Sequence, residues 1–277
     1  MMNMERANAI AEIVANKTGL EAKAQEVRKG DAVYLAIAVN KGSISPVIYI
    51  EHYFDDGMTD DEIVDKVIEV ANMATPNFKV DDFADWELAK DNLVVCLRAK
   101  TSNEVEIKKD YLDMEMFVKF KLNDGSGSVT IKKEHAAHWG VDEDLVFKVA
   151  KANTVGKFRA DSLLKILMGA GYPLDDYEIN ITENDMICLT NGEKLFGASA
   201  ILDNIFLGKI ADKLDDDIYI LPSSIHEVIA IPARNAGTIE EMSAMITEIN
   251  MAMVAPEERL SNHPYFFERN VGKLTIC

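Results

Sequence analysis

The stretch covering residues 217–232 constrains the fold most, because it holds two short apolar segments on either side of a polar connection. Residues 218–221 and 228–231 are rich in isoleucine, valine and leucine, which is typical of buried strands. The six residues between them include a proline, two serines, a histidine and a glutamate. The stretch therefore predicts two core strands joined by a tight polar connection.

Other apolar segments also come in adjacent pairs, and helical patterns lie between the pairs. The paired segments are 32–39 with 44–50, and 113–122 with 128–131. This arrangement predicts an α+β fold with mainly antiparallel sheets, built from hairpins with packed helices. We expect either an N-terminal lobe (1–108) and a C-terminal lobe (109–277) or one continuous domain.

Four local patterns give more detailed predictions. Residues 3–28 have helical spacing, which predicts one or two helices interrupted near Gly19. Thr59 and Glu62 have capping-box spacing, and Thr238 is a good cap for a helix over 238–253. That last helix is expected to turn its apolar residues inward, namely Ile239, Met242, Met245, Ile246 and Ile249. Alternation along 113–122 places Glu115 on a polar face.

Composition limits the classes of function. The 277 residues carry 47 acidic and 29 basic side chains, for a net charge of −18. Such a balance argues against direct nucleic-acid binding, which needs Lys and Arg to displace counterions from phosphates. It also argues against binding to anionic membranes. No apolar run reaches the ~18 residues of a membrane span. Three widely spaced cysteines and the absence of a signal-peptide pattern predict a cytoplasmic protein.

Acidic residues are concentrated in one segment. Thirteen acids and three lysines lie from Glu51 to Asp91, which accounts for −10 of the chain's −18. Such runs ordinarily form solvated helix faces. The sharper hypothesis is a protein-interaction module with a docking surface for a basic partner, formed by Asp55, Asp56, Asp60, Asp61 and Asp65. A further alternative is a mobile-element inhibitor that imitates nucleic-acid charge.

The polar connection at 222–227 contains the residue types of a catalytic site. Ser224, His226 and Glu227 correspond to a nucleophile, a base and an orienting acid. On an extended chain, however, Ser224 and His226 share a face while Glu227 points to the other. We therefore favour side chains that bond the local backbone. A hydrolase site at Ser224 and His226 is the alternative.

A metal site and a cofactor site have weaker support. His135 and His138 are three residues apart and could share a helix face, but the sequence supplies no evident third ligand. The interpretation that we favour is that Trp139 packs under a helix end and that both histidines are exposed. The glycines at 123–128 and 192–197 lack the dinucleotide and P-loop patterns, so no cofactor is predicted.

Five segments together resemble a known family. They are 44–51, 130–154 with its Trp-Gly pair, 194–198, 218–232 and 254–258. The chain is similar to bacterial proteins of the domain-of-unknown-function family 5688, which are common in gut clostridia. The stretch 221–228 is the most specific part. The resemblance implies a shared architecture, and it implies no reaction or catalytic residue.

Overall fold

The computed structural model describes residues 3–29, 32–42, 45–73, 80–102, 104–122, 127–167 and 186–277. In the described ranges, three antiparallel sheets are accompanied by packed helices, so the predicted α+β class is confirmed. The chain divides into two compact units. Unit 1 contains Met1–Phe83 and Leu122–Gly127, and unit 2 contains Ala84–Lys121 and Ser128–Cys277.

Unit 1 is built on a three-stranded sheet with the order β1-β2-β3. The strands are β1 (Ala22–Lys29), β2 (Ala32–Val39) and β3 (Val47–Tyr49). The helices are α1 (Met4–Thr18), α2 (Glu51–Asp55) and α3 (Asp60–Asn72), followed by α4 (Val80–Ala84) at the unit boundary. Side chains from α1, α3 and the sheet form one core, which includes Ile10, Val14, Ile37, Ile63 and Val67.

The helix ends of unit 1 follow local chemistry. Gly19 adopts a left-handed conformation with φ of 71° and ends α1. The prediction of helix across 3–28 is therefore wrong beyond Thr18, since residues 22–29 form β1 and pair along their whole length with β2. The capping box of Thr59 and Glu62 is confirmed at the start of α3.

Unit 2 contains a six-stranded sheet with the order β13-β12-β10-β11-β9-β8. Its strands are β8 (Phe158–Ser162), β9 (Ile187–Asn191), β10 (Ile218–Ser224), β11 (Glu227–Pro232), β12 (Tyr265–Glu268) and β13 (Lys273–Ile276). The predicted hairpin at 217–232 is confirmed as β10 and β11, which form the centre of this sheet. Both strands are largely buried, as their apolar composition indicates.

The second sheet of unit 2 has β6 (Met114–Lys121) between β4 (Leu93–Ala99) and β5 (Lys108–Tyr111), with β7 (Ser128–Thr130) also paired to β6. Strand β4 ends before residue 108, and β6 and β7 begin after it, so this sheet spans the position of the lobe boundary that we predict. The helices of unit 2 are α5 (Trp86–Ala89), α6 (Lys133–Trp139), α7 (Glu143–Thr154), α8 (Leu163–Leu167), α9 (Asn204–Leu214) and α10 (Ile239–Met253). In the described part of the chain, no helix is long and apolar enough to cross a membrane.

Helix α10 differs from its predicted orientation. Thr238 caps it with Glu241 in a capping box, as the sequence indicates. Met242 and Ile246 pack against Leu221 and Ile231 of the central strands. Ile239, Met245 and Ile249, which we predict to face inward, are instead exposed. One sheet face covers only one side of a helix, so the apolar arc of α10 is wider than the surface available to it.

Glu115 is buried, whereas the alternation along β6 predicts a solvent-facing position. Its partner across the sheet is Arg98, whose Nε lies 2.8 Å from Glu115 Oε1. Lys108 Nζ lies 3.1 Å from Oε2, and the Thr101 hydroxyl donates to Oε1 at 2.8 Å. Burial alone would raise the pKa of Glu115, but the hydrogen bonds from Thr101, Arg98 and Lys108 outweigh it and lower that pKa.

We predict that Glu115→Gln lowers the free energy of unfolding by about 2 kcal/mol at pH 7, because the half-buried Lys108 loses its carboxylate partner and the buried Arg98 is left with its ion pair to Glu106. The folded-state pKa is depressed, so the stabilisation is present above the ordinary pKa of 4.5 and is lost as the pH falls through the folded value. The difference in unfolding free energy between wild type and variant should therefore shrink at pH 3.

Urea unfolding followed by tryptophan fluorescence measures this difference, since Trp86 and Trp139 both lie in unit 2. The exposed Glu104→Gln is the control; an equal difference at both pH values would contradict the assignment.

Candidate functional site

The connection between β10 and β11 is tight and bonded to its own backbone. The register shifts between Pro222 and Ser224, and Ser224 pairs with Glu227. Ser224 is buried, and its Oγ accepts the backbone N–H of His226 at 3.0 Å. The serine hydroxyl thus holds the turn closed, which is the local role that the spacing favours.

A loop from elsewhere in the chain packs against this turn at Gly197. A Cβ at Gly197 would lie 2.2 Å from Thr190 Oγ1 and 2.6 Å from the carbonyl oxygen of His226. The Thr190 hydroxyl donates to that carbonyl at 2.8 Å, and the N–H of Ala198 donates to the carbonyl of Ile225 at 3.3 Å. Only glycine can stand at this position without displacing these groups.

Both ring nitrogens of His226 have partners. The backbone N–H of Phe196 donates to Nδ1 at 3.2 Å, so Nδ1 carries no proton. The proton of the neutral ring then sits on Nε2, which lies 3.3 Å from Glu258 Oε1. Ser224 is not among these partners. Glu227 contacts the thiol of Cys188 instead, with 3.7 Å between Sγ and Oε2.

Glu258 connects the turn to α10. It lies in the short helical turn Pro256–Glu258 that follows α10, and its carbonyl accepts the N–H of Ile225 at 2.8 Å. We call Thr190, Phe196, Gly197, His226 and Glu258 the turn cluster. Its members come from three segments that are far apart in sequence, and each makes a hydrogen bond or a close contact with the β10–β11 connection.

The rim of the turn cluster carries basic groups from β6. Lys119 Nζ lies 4.8 Å from the centroid of the Phe196 ring, and the Phe196 and His226 rings are 5.5 Å apart. Lys121 Nζ is paired with Glu193 at 2.5 Å. The lysine over Phe196 is a cation–π contact, which stabilises the loop that carries Gly197.

His135 and His138 lie on α6 in different environments. The N–H of Lys132 donates to His135 Nδ1 at 3.1 Å, while His138 is exposed. Burial lowers the pKa of His135. Trp139 packs against Trp86, with ring centroids 5.6 Å apart. Among the described residues, no group of three or more His, Cys, Asp or Glu side chains is arranged to hold a metal ion.

Two of the five predicted partner-binding aspartates in unit 1 are paired with α1. Asp60 forms an ion pair with Arg6 at 2.7 Å, and Asp65 forms one with Lys17 at 3.0 Å. The guanidinium of Arg6 also lies 4.5 Å from the centroid of the Phe54 ring. These two acids therefore help to join α1 to α3, in addition to carrying surface charge.

The other three aspartates are exposed and lie close together along the chain. Asp55 ends α2, Asp56 follows it, and Asp61 is in the first turn of α3. In the part of unit 1 that the structure describes, none of the three forms an ion pair. Asp61 also lies at the positive end of the α3 dipole, where a negative charge stabilises the helix. We call Asp55, Asp56 and Asp61 the acidic patch.

A third polar group has no counterpart in the sequence predictions. Asp113 Oδ2 lies 2.8 Å from His263 Nε2, and the Tyr265 hydroxyl donates to Oδ1 at 2.7 Å. The carbonyl of Pro264 lies 3.1 Å from His263 Nδ1. Asp113 and His263 are 150 residues apart, so no local spacing could have indicated the pair.

The model of a family of unknown function, DUF5688, matches residues 5–269 of the chain. The chain belongs to this family. No curated protein and no solved structure matches it. The match confirms the resemblance to DUF5688 and extends it to the first helix of unit 1.

Three of the five segments that carry the resemblance to DUF5688 meet in the turn cluster. Phe196 and Gly197 come from 194–198, His226 from 218–232 and Glu258 from 254–258. The resemblance therefore rests in large part on residues that hold the fold of unit 2 together. The family description assigns no reaction, so roles for Ser224 and His226 rest on their geometry alone.

We predict that Gly197→Ala destabilises this DUF5688 member by about 3 kcal/mol, because the added Cβ overlaps the Thr190 hydroxyl and the His226 carbonyl. Thermal or urea unfolding measures the effect. The matched control is Gly208→Ala in the middle of α9, where a Cβ meets nothing within 4 Å. That control should gain about 0.5–1 kcal/mol from helix propensity. Similar effects of the two substitutions would contradict the packing described.

Proposed function

We propose that this DUF5688 member acts in the cytosol by binding another protein, and that the acidic patch contacts a basic surface on that partner. The observation that carries the proposal is the exposure of Asp55, Asp56 and Asp61, three carboxylates without ion pairs in the described part of the chain. They lie within seven residues, at the end of α2 and the start of α3. A basic group on a partner can therefore pair with these carboxylates without displacing a lysine or arginine of the described part of the chain.

The strength expected of such a contact is modest. Exposed ion pairs contribute about 0.2–1 kcal/mol each, so three of them correspond to roughly tenfold in affinity. Their larger effect is on association, because a net charge of −18 attracts a basic partner over distances of about a Debye length. This predicts fast, salt-sensitive binding.

The geometry supports binding better than hydrolysis at the β10–β11 connection. A serine nucleophile needs a ring nitrogen that can accept its proton. Nδ1 of His226 accepts the Phe196 N–H, and Nε2 lies against Glu258. A hydrolase site at Ser224 and His226 would require the Phe196 contact to be broken, so that Nδ1 is free to accept the serine proton, whereas Glu258 on Nε2 occupies the place of an orienting acid.

We predict that Asp55→Asn, Asp56→Asn and Asp61→Asn together weaken binding about tenfold. Wild type and variants would be immobilised, and the proteins captured from a bacterial lysate would be eluted with increasing salt. The control carries Glu12→Gln, Glu104→Gln and Glu143→Gln, which removes the same charge from exposed sites elsewhere. The control should retain the partner at salt concentrations that release it from the patch variant.

Two outcomes would contradict this proposal, namely equal weakening in the control and capture that does not depend on salt. Adding DNA or RNA as a competitor tests the more specific hypothesis of an inhibitor that imitates nucleic-acid charge. Displacement of the captured partner by nucleic acid supports that hypothesis, because both ligands would then use the same basic surface. Retention of the partner excludes it and leaves an ordinary protein interaction.

A further inference from the structure

Helix α10 carries an apolar stripe that the sheet does not cover. Met242, Ile246 and Asn250 form its buried side. Met245, Ile249, Ala252 and Met253 follow at i, i+4, i+7 and i+8, and all four are exposed. This spacing places them in one continuous row beside the buried side. We call these four residues the α10 stripe.

The side chains of the stripe are more exposed than is usual for methionine and isoleucine, which are ordinarily buried. Met253 is 83% exposed, and Met245 and Ile249 are 40% and 41% exposed. Single exposed apolar residues are common, but a continuous row on one helix is typical of a binding surface. Next to the stripe, Met251 is 74% exposed and borders an open groove of about 720 Å³, which shares Ala252 with the stripe and is also lined by Ser243, Ala244, Thr247, Glu248 and Met251.

The charged side chains of α10 itself are all acidic. Helix α10 contains Glu240, Glu241 and Glu248 and no lysine or arginine. Glu257 and Glu258 follow it in the next turn. The arginines that flank α10 are both engaged elsewhere: Arg234 is paired with Asp216 at 3.4 Å, and Arg259 Nε donates to the carbonyl of Val254 at 3.0 Å. Helical spacing places Glu241 and Glu248 beside the stripe, and an apolar row next to carboxylates complements a partner with an apolar row next to cations.

We infer that the α10 stripe binds an amphipathic helix whose apolar face is flanked by Lys or Arg. Methionine side chains are unbranched and flexible, so they adapt to the varied apolar side chains of such helices. A second copy of the chain fits less well, because pairing two α10 helices would bring their glutamates together. This surface is in unit 2, whereas the acidic patch is in unit 1, so the inference does not rest on the function proposed above.

The test uses the full chain and a fluorescent 16-residue peptide with leucines on one helical face and lysines on the other. Fluorescence anisotropy should show binding to wild type and about tenfold weaker binding to Met245→Gln with Met253→Gln. The control Met73→Gln changes a methionine that is 56% exposed in unit 1, and it should bind as wild type does. Neutralising the acidic patch should also leave the affinity unchanged. Thermal unfolding of each variant verifies that it is folded.

Three results would overturn the inference. One is equal affinity of wild type and the double methionine variant. Another is equally tight binding of a peptide in which serine replaces leucine, because charge alone would then account for the affinity. The third is self-association of the wild-type chain in sedimentation that the methionine substitutions abolish, because the stripe would then join two copies.

Discussion

The close approach of the Gly197 backbone to the β10–β11 connection is the constraint on which the centre of unit 2 depends. Because position 197 has no side chain, the loop reaches the Thr190 hydroxyl and the His226 carbonyl. The same approach brings the N–H of Phe196 to the His226 ring, and the ring's other nitrogen meets Glu258. Glu258 follows α10, so the connection also anchors the chain at the end of the helix that carries the exposed stripe.

Features set by neighbouring residues could be predicted from the sequence. The β10–β11 hairpin, the capping box at Thr59 and the cap at Thr238 each depend on a few adjacent residues, and the structure contains all three. Features set by distant residues could not. Glu115 is buried because Arg98 lies directly opposite it on β4, and alternation along β6 alone places it in solvent.

The candidate site shows the same limit. The sequence indicates a reactive group at 222–227, but the partners of His226 are 30 and 32 residues away. Apolar spacing along α10 predicts an inward face that includes Met245 and Ile249, yet the sheet has room only for Met242 and Ile246. Periodicity shows that a helix is apolar over a wide arc, and only the packed structure shows which part of that arc is left for a partner.

The central claim is that His226 is a structural residue and that the protein works through its surfaces. The tautomer of His226 tests this claim most directly, and ¹⁵N NMR of histidine-labelled protein at pH 8 measures it, with the His226→Gln variant assigning the signals. We predict that the neutral ring carries its proton on Nε2, because the Phe196 N–H occupies Nδ1. A proton on Nδ1 would contradict the claim, because that nitrogen could then not accept the Phe196 N–H and the ring would not hold the loop as described.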